Sequence, residues 1–588
     1  MKQSIAMAAV WLSIGLTGAV AQTPGSARYD IGAPALTYLW VNPVDGNDAS
    51  SGASNAPLRT VAEAWNRIPS GTTLTATGYS IQLMPGDYPE SALPVWLDSR
   101  FGTAAAPVIL RAAGGRGTVR LHGYLNVHAC RYLYLLDLDV VTDPGYGGGA
   151  NALHLEGGDH VLLRGCRLDG FDGTVRQTQE TLKANQTRHL FVEECEISGA
   201  FWYPLDYVAV QYGHILASRI HDAGEWCVLV KGGSAHLLIE GNEIWDGHAG
   251  GFVAGNGTGF EFMVEPWIHH EVSDIKFVNN LIHHTGTAGL GVNGGYNVLL
   301  AYNTLYKAGT NDHVIEVLQG SRGCDGDTAR CALLNAAGGW GNTQAESQYI
   351  PSRNVFIYNN LIYNPAGFGS RWQHFTVAGP AAPPADSHVA NPALADDNLR
   401  IVGNLIWNGP VDHPLGIGDE GSGGQDSNPS CNRSQVLADN IINQIEPQLV
   451  DPENGDYRLR SGSSLGMPMP DIPPFPGNDR PQPPLAPQGN LTNTVPVINL
   501  PFTPYSGLWT GAADSGGGWK YLGWFGYFQD GGGLWGGWIW HAEHGWLYTP
   551  ATSPSSIWFW SSRLDWVWTG SSVYPFFWYN NGPAWLFY

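Results

Sequence analysis

Cations, sulfur and long apolar runs are all scarce in this sequence. Lys and Arg number 29 against 51 Asp and Glu, a formal net charge of −22. Nucleic-acid binders carry the opposite bias, so no nucleic-acid partner is expected. An acidic chain that takes an anionic polymer needs a local basic patch or bridging cations. Seven cysteines in 588 residues do not make a disulfide framework. Cys324 and Cys331 bracket the polar loop DGDTAR and are the best-placed bridge for an oxidising compartment. The other five read as small buried apolar side chains. CxxC and Cys/His zinc spacings, a P-loop and a dinucleotide fingerprint are all missing. After residue 21 no stretch is long and apolar enough to span a bilayer.

Glycine is abundant instead. With 77 Gly and only 14% charged residues, the composition suits a turn-rich β protein. Residues 1–21 have the form of a secretory signal: Lys2, an apolar run over 5–20, and the small-x-small site Ala19-Val20-Ala21. The mature chain is therefore expected outside a bacterial cell, secreted or at its surface, and monomeric. Residues 35–79 hold an opening strand, Tyr38–Val41, and a short helix with Val61, Ala64, Trp65 and Ile68 on one face. This opening resembles that of secreted pectate-lyase-like proteins, where such a plug covers the end of a β-helix.

Over 80–464 a repeat takes over. Apolar alternations end at a turn residue followed by Ile or Leu: Cys166, Cys195, Ser218, Asn242, Asn280, Asn303, Asn360, Asn404 and Asn440. Steps of 23 or 24 residues are bare coils, and longer steps carry inserted loops. Asn tolerates a left-handed turn, and its amide can hydrogen-bond to the coils above and below. Periods of this size with short strands and no intervening helices indicate a solenoid. The expected fold is all-β, a single-stranded right-handed parallel β-helix, followed by a small aromatic-rich β module. A Pro-rich linker occupies 465–506. The module, 507–588, holds 13 of the 24 Trp, either as its core or as a sugar-stacking or anchoring surface.

The coil Cys227–Asn242 carries Lys231, a cation in a chain short of them. Counting back about ten residues from the turn column gives Glu156, Gln211, Lys231 and Asn293, and across insertions Glu261, Glu316, His374 and Asp419. Lys231, Glu261, Asn293 and Glu316 would form one polar strip along a β face, where each coil meets a further sugar of a polymer. The inserted loops, 247–273 and 309–353, add Trp267, His269, His270, His313 and Arg322.

The stretch Glu225–Lys231, with Asn242 after the next strand, resembles the Lys-bearing coil of the chondroitinase B and alginate lyase family. That resemblance implies β-elimination on a uronate polysaccharide or cell-surface glycan. Lys231 would be the base and Arg322 and His313 the further catalytic groups. Glu225, Trp267, His269 and His270 would bind substrate, and Glu261, Asn293 and Glu316 would hold Ca²⁺. The sequence departs from the family at Gly232, where the family has Ser. Two alternatives stand beside this reading. One is a non-catalytic surface or matrix protein, the β-helix its stalk or glycan-binding scaffold and the aromatic module its attachment. The other is a glycoside hydrolase, although an Asp pair on adjacent coils is not seen: Asp396-Asp397 falls in a loop.

Overall fold

The computed structural model describes residues 28–142, 151–170, 176, 178–342, 348–384, 387–418 and 428–460 and, with short gaps, 512–587. The leader 1–21, the linker 465–506 and Asp419 lie outside the described residues.

The repeat folds as a right-handed parallel β-helix with three sheets. Sheet I has 12 strands, from Leu36–Val41 to Arg400–Val402; sheet II has 10, from Leu97–Asp98 to Gln373–Val377; sheet III has 12, from Gly86–Tyr88 to Ile441–Ile442. One coil runs Trp226–Lys231 in sheet II, Ser234–Glu240 in sheet I and Glu243–Gly247 in sheet III. Every pairing within these sheets is parallel, and the register is continuous apart from one shift between Thr178 and Glu180 at the start of a sheet II strand. Leu182, Leu205, Val228, Phe252, Leu290, Ile315 and Phe375 therefore form one interior column. All are at most 1% exposed. Burying each such side chain contributes roughly 1.5–3 kcal/mol, and a one-residue slip would turn the whole column to solvent.

The Asn column is a buried ladder. Asn242 Nδ2 donates to Asn280 Oδ1 (2.9 Å), Asn280 Nδ2 to Asn303 Oδ1 (3.1 Å), Asn303 Nδ2 to Asn360 Oδ1 (2.9 Å), Asn360 Nδ2 to Asn404 Oδ1 (2.9 Å) and Asn404 Nδ2 to Asn440 Oδ1 (2.8 Å). Each Oδ1 also accepts the backbone N–H of the preceding rung, and Ser218 N–H donates to Asn242 Oδ1. One detail of the expectation is corrected. The left-handed residue is the one before the column, as at Ala217, Asn279, Tyr302 and Asn359 (φ 48° to 59°). Asn440 itself is extended. The ladder thus selects Asn for its paired amide and carbonyl, and the neighbour makes the bend.

Strand Leu36–Val41 is the first rung of sheet I, in parallel register with Gly78–Leu83, so the solenoid begins ahead of residue 80. Helix Val61–Asn66, N-capped by Thr60 Oγ1 accepting from Glu63 N–H at 3.1 Å, turns Val61, Ala64 and Trp65 onto the end of the core. At the far end, the hairpin Leu449–Asp451/Asp456–Leu459 carries Glu453, which pairs with Lys307 at 2.8 Å. Cys324 and Cys331 are bridged, and Cys130, Cys166, Cys195, Cys227 and Cys431 are buried thiols. Among the described residues no helix is long and apolar enough to cross a membrane.

The C-terminal module is a nine-stranded antiparallel sheet with two unlike faces. Leu522, Phe525, Phe528, Ile539, Leu547, Ile557, Phe559, Val567 and Phe577 make its core. Trp558 and Trp568, Trp560 and Trp566, and Trp568 and Trp578 are cross-strand partners at the alternate positions. These Trp residues are part-exposed, so the buried core is aliphatic and Phe, and the Trp lie on the other face.

His374, 1% exposed, is packed among polar side chains near this solenoid's C-terminal end, where Asn408 Nδ2 donates to its Nδ1 at 3.1 Å. Burial, and then neighbouring His413, push its pKa down to about 3. The unfolded chain protonates this imidazole near pH 6.5, so its contribution to stability is intact above that pH and is lost as pH falls toward 3. Between pH 7 and pH 5 the wild type is expected to lose about 2 kcal/mol more than His374→Gln, read from urea midpoints. Equal losses would show that His374 carries no such linkage.

Candidate functional site

Lys231 ends its strand on the outer face of sheet II, part-buried. Its column runs Glu156, Asn185, Val208, Lys231, then Gly255, Asn293 and Leu318. The neighbouring column runs His154, Lys183, Asp206, Leu229, Val253, Gly291, Glu316 and Thr376. Gly255, at φ +88°, brings no side chain between Lys231 and Asn293, and a Cβ there would lie 2.0 Å from Asn293 O. Among the described residues no carboxylate lies within ion-pair distance of Lys231. The bland expectation for a lysine on a β face, a solvated Lys–Glu pair, is therefore not what is found.

Two polar clusters flank it. On the N-terminal side, Lys183 Nζ is ion-paired with Asp206 and lies 3.8 Å from Glu180 Oε1. Burial raises the pKa of Glu180, against the pull of Lys183, and Lys231 adds to that pull. Asn151 Nδ2 donates to Glu180 Oε2 at 2.9 Å. On the C-terminal side, Asn293 Nδ2 donates to Glu316 Oε1 (2.8 Å), and Glu316 Oε2 lies 3.2 Å from His313 Nε2. His313 has a raised pKa. Burial works against this, and Glu316 and Asp312 outweigh it. Asp206 Oδ1 and Asn293 Oδ1 are buried and accept no hydrogen bond from a described residue. Between the clusters the floor is apolar, with Leu229 and Val253 packed under Trp226 and Tyr203.

The turn after Lys231 is built for glycine. Gly232 and Gly233 have φ of +65° and +80°, and a Cβ on Gly233 would lie 2.4 Å from Trp267 O. Gly232 N–H donates to Glu271 Oε2 (3.2 Å), which also accepts from Thr258 Oγ1 (2.8 Å). Glu271 is ion-paired with Arg322, both side chains fully buried. Arg322 donates further to the carbonyls of His269 and Trp340. The expectation of Arg322 as a catalytic group is corrected here: its guanidinium lies beneath the loops, spent on Glu271 and two carbonyls. It positions the turn that follows Lys231.

The other sequence-derived residues separate into three places. Trp267, His269 and His270 line one cavity of about 300 Å³ with Pro266, Tyr296 and Trp340. His270 stacks on Tyr296 (5.0 Å), and burial and then Arg322 lower its pKa, so it is a neutral imidazole. This cavity adjoins the Gly232–Gly233 turn through Trp267. The strand of His313 and Glu316 lies three strand spacings, about 14 Å, from that of Lys231, and His313, at its far end, is level with Trp226 and so about 20 Å or more from Lys231. That distance reaches a different sugar, so Lys231, Arg322 and His313 do not converge on one bond. Glu225 is exposed at the other end of the Lys231 strand, about 20 Å away. The exposed Phe201 and Trp202 belong to the adjoining strand Ala200–Val208, and Trp202 O accepts from Glu225 N–H at 2.9 Å.

The calcium set is not assembled. Glu261 sits in the inserted loop, where its carboxylate accepts the N–H groups of Asp325 and Asp327 at 3.0–3.1 Å. Asn293 Oδ1 and Glu316 remain as adjacent oxygen donors, and Glu316 is already engaged by Asn293 and His313. Ca²⁺ takes six to eight oxygens; these residues do not fit it. Counting missed Lys183, Asp206 and Glu180, although Lys183 and Asp206 are one 23-residue coil apart.

A family model described as a right handed beta helix region matches residues 146–327. No curated protein matches the sequence. Among solved structures, a rhamnogalacturonan lyase is 12% identical, covering 58% of this chain and 84% of its own, with TM-score 0.37. A PL6 family polysaccharide lyase from Pseudopedobacter saltans is 11% identical over 67% and 93%, TM-score 0.34. The A-module of a mannuronan C-5 epimerase from Azotobacter vinelandii is 15% identical over 51% and 84%, TM-score 0.30. The family model and the strand topology agree on the fold: the chain carries a right-handed parallel β-helix.

Proposed function

We propose that the outer face of sheet II takes an acidic, uronate-containing polysaccharide and that Lys231 is the base of a β-elimination on it. The observation that carries this reading is Lys231 itself: a part-buried cation, with no carboxylate in ion-pair reach among the described residues, on an in-register β face of a chain at −22. A polyanion is the ligand such a face can neutralise. The apolar floor suits sugar ring faces, and the clusters at Asp206 and Asn293 supply polar contacts on either side. Lys231 would remove the proton α to the uronate carboxylate as the glycosidic bond on the β carbon breaks.

The test is a panel of uronate polymers followed by absorbance of new unsaturated ends. Lys231→Ala is expected to lose activity by about 10²–10⁴-fold while the thermal midpoint stays within a few degrees. An undiminished rate in Lys231→Ala would remove Lys231 as the base.

A second reading, a glycan-binding scaffold without catalysis, is favoured by one observation: neither Arg322, which is buried, nor His313, which belongs to another coil, stands beside Lys231 as a proton donor. Wild-type protein that retains a uronate polymer without forming unsaturated ends would select it. Hydrolysis draws less support. Glu180 and Asp206 do lie on adjacent coils, but their side chains are 8% and 1% exposed and both are held by Lys183.

A further inference from the structure

At the corner between sheets II and I, a row of left-handed residues carries rings that stack from coil to coil: Tyr132, His160, His189, Tyr212 and His236. The centroid separations are 4.3, 4.2, 5.2 and 4.8 Å. Within the row, Nδ1 of His160 and Nδ1 of His189 both point at one oxygen, Asp159 Oδ1, at 3.0 and 2.8 Å. We propose that Asp159, His160 and His189 form a binding site for a divalent transition metal such as Zn²⁺ or Ni²⁺.

Three observations support this. The ligand atoms lie within 4.8 Å of one another. Ligands about 2.1 Å from a common ion sit roughly 3.0–3.4 Å apart, so the two nitrogen–oxygen separations need little change. The rings are held in place, with His160 between Tyr132 and His189, and His189 between His160 and Tyr212. The third observation concerns Asp159. Its in-register neighbours are Arg131 and Arg188, yet neither pairs with it. Arg131 lies over Phe101 (4.2 Å) and Arg188 over Tyr212 (5.6 Å). The carboxylate is left to the imidazoles. Two nitrogens and one oxygen suit Zn²⁺, Ni²⁺ or Cu²⁺ and disfavour Ca²⁺ and Mg²⁺, which take oxygen shells. The three side chains are 38%, 24% and 34% exposed, so an ion has access and keeps open positions for water. The ion would tie strand Asp159–Arg164 to Arg188–Glu193, one coil on.

The experiment is isothermal titration of the chelator-treated full chain with ZnCl₂, NiCl₂ and, as a control, CaCl₂, each followed by a thermal melt. The wild type is expected to bind one equivalent of Zn²⁺ or Ni²⁺ with a higher melting midpoint, and no Ca²⁺ at this site. His189→Ala and Asp159→Asn, both at part-exposed positions, are each expected to lose that equivalent and the midpoint shift while melting normally without metal. No binding by the wild type, or the same stoichiometry and shift in both variants, would overturn the proposal.

Discussion

Asn360→Ala is expected to destabilise the solenoid by about 4 kcal/mol. Asn360 Oδ1 accepts from both the backbone N–H and Nδ2 of Asn303 (3.0 and 2.9 Å), and Asn360 Nδ2 donates to Leu300 O (3.0 Å). Alanine leaves the Asn303 backbone N–H and one of the two Asn303 Nδ2 hydrogens without an acceptor, the other staying on Phe277 O, and takes a donor from Leu300 O, at roughly 1–3 kcal/mol for each group left unpaired; it also adds a small cavity. Water cannot relieve them, since Asn303 and Asn360 are fully buried. A second, outer Asn ladder, Asn297–Asn354–Asn398, is the control. Asn398 Nδ2 donates to Asn354 Oδ1 at 2.9 Å in the same coils, but part-exposed, and Asn398→Ala is expected to cost less than about 1 kcal/mol. Urea denaturation followed by circular dichroism measures both. Equal costs for the two variants would mean that the buried ladder is no more than a repeat of the outer one.

Arg322→Met should be nearly as damaging, at about 3–5 kcal/mol, because it strands a fully buried carboxylate. Glu271 has no route to solvent, and its other oxygen is committed to Gly232 N–H and Thr258 Oγ1. The double variant Arg322→Met/Glu271→Gln removes both charges and keeps an amide oxygen for those donors. It should be more stable than Arg322→Met alone, a sign that a simple sum of two losses would not produce. There is a consequence for function as well: with the pair broken, the turn after Lys231 loses its anchor. Any activity of the sheet II face should then fall in Arg322→Met and recover in part in the double variant. If Arg322→Met were as stable as the wild type, the arginine would not be the structural partner of Glu271.

The separate fates of these residues show how far counting along the chain reaches. The offset from the outer column of sheet II to the turn column is ten residues from Asn185 to Cys195, Val208 to Ser218 and Asn293 to Asn303, but eleven from Lys231 to Asn242. One residue is added between the Gly232–Gly233 turn and Ala235, which pairs with Gln211. Gln211 lies only seven residues before Ser218, so a count of about ten is too loose there: the tenth position is Val208, two residues after the Asp206 that meets Lys183. Glu261 was placed in the strip because an inserted loop has no period to count by. The loop's course is set by the disulfide loop it packs on, whose backbone amides hold its carboxylate.

The sequence by itself determined the solenoid, the Asn rungs and the cysteine bridge: alternation sends apolar residues inward, and a buried turn that must satisfy its backbone every 23 or 24 residues selects the same amide, while the third strand of each coil came only from the structure. It also drew attention to Lys231, a cation rare in its setting. Tertiary structure alone decided which charges meet. Lys183 found Asp206, Arg322 went beneath the surface to Glu271, Glu261 went to backbone amides, and Lys231 was left without a carboxylate in ion-pair reach among the described residues. Those outcomes depend on turn lengths and on how irregular loops fold back over the coils, and a charge settles wherever burial and pairing balance, which no spacing along the chain encodes.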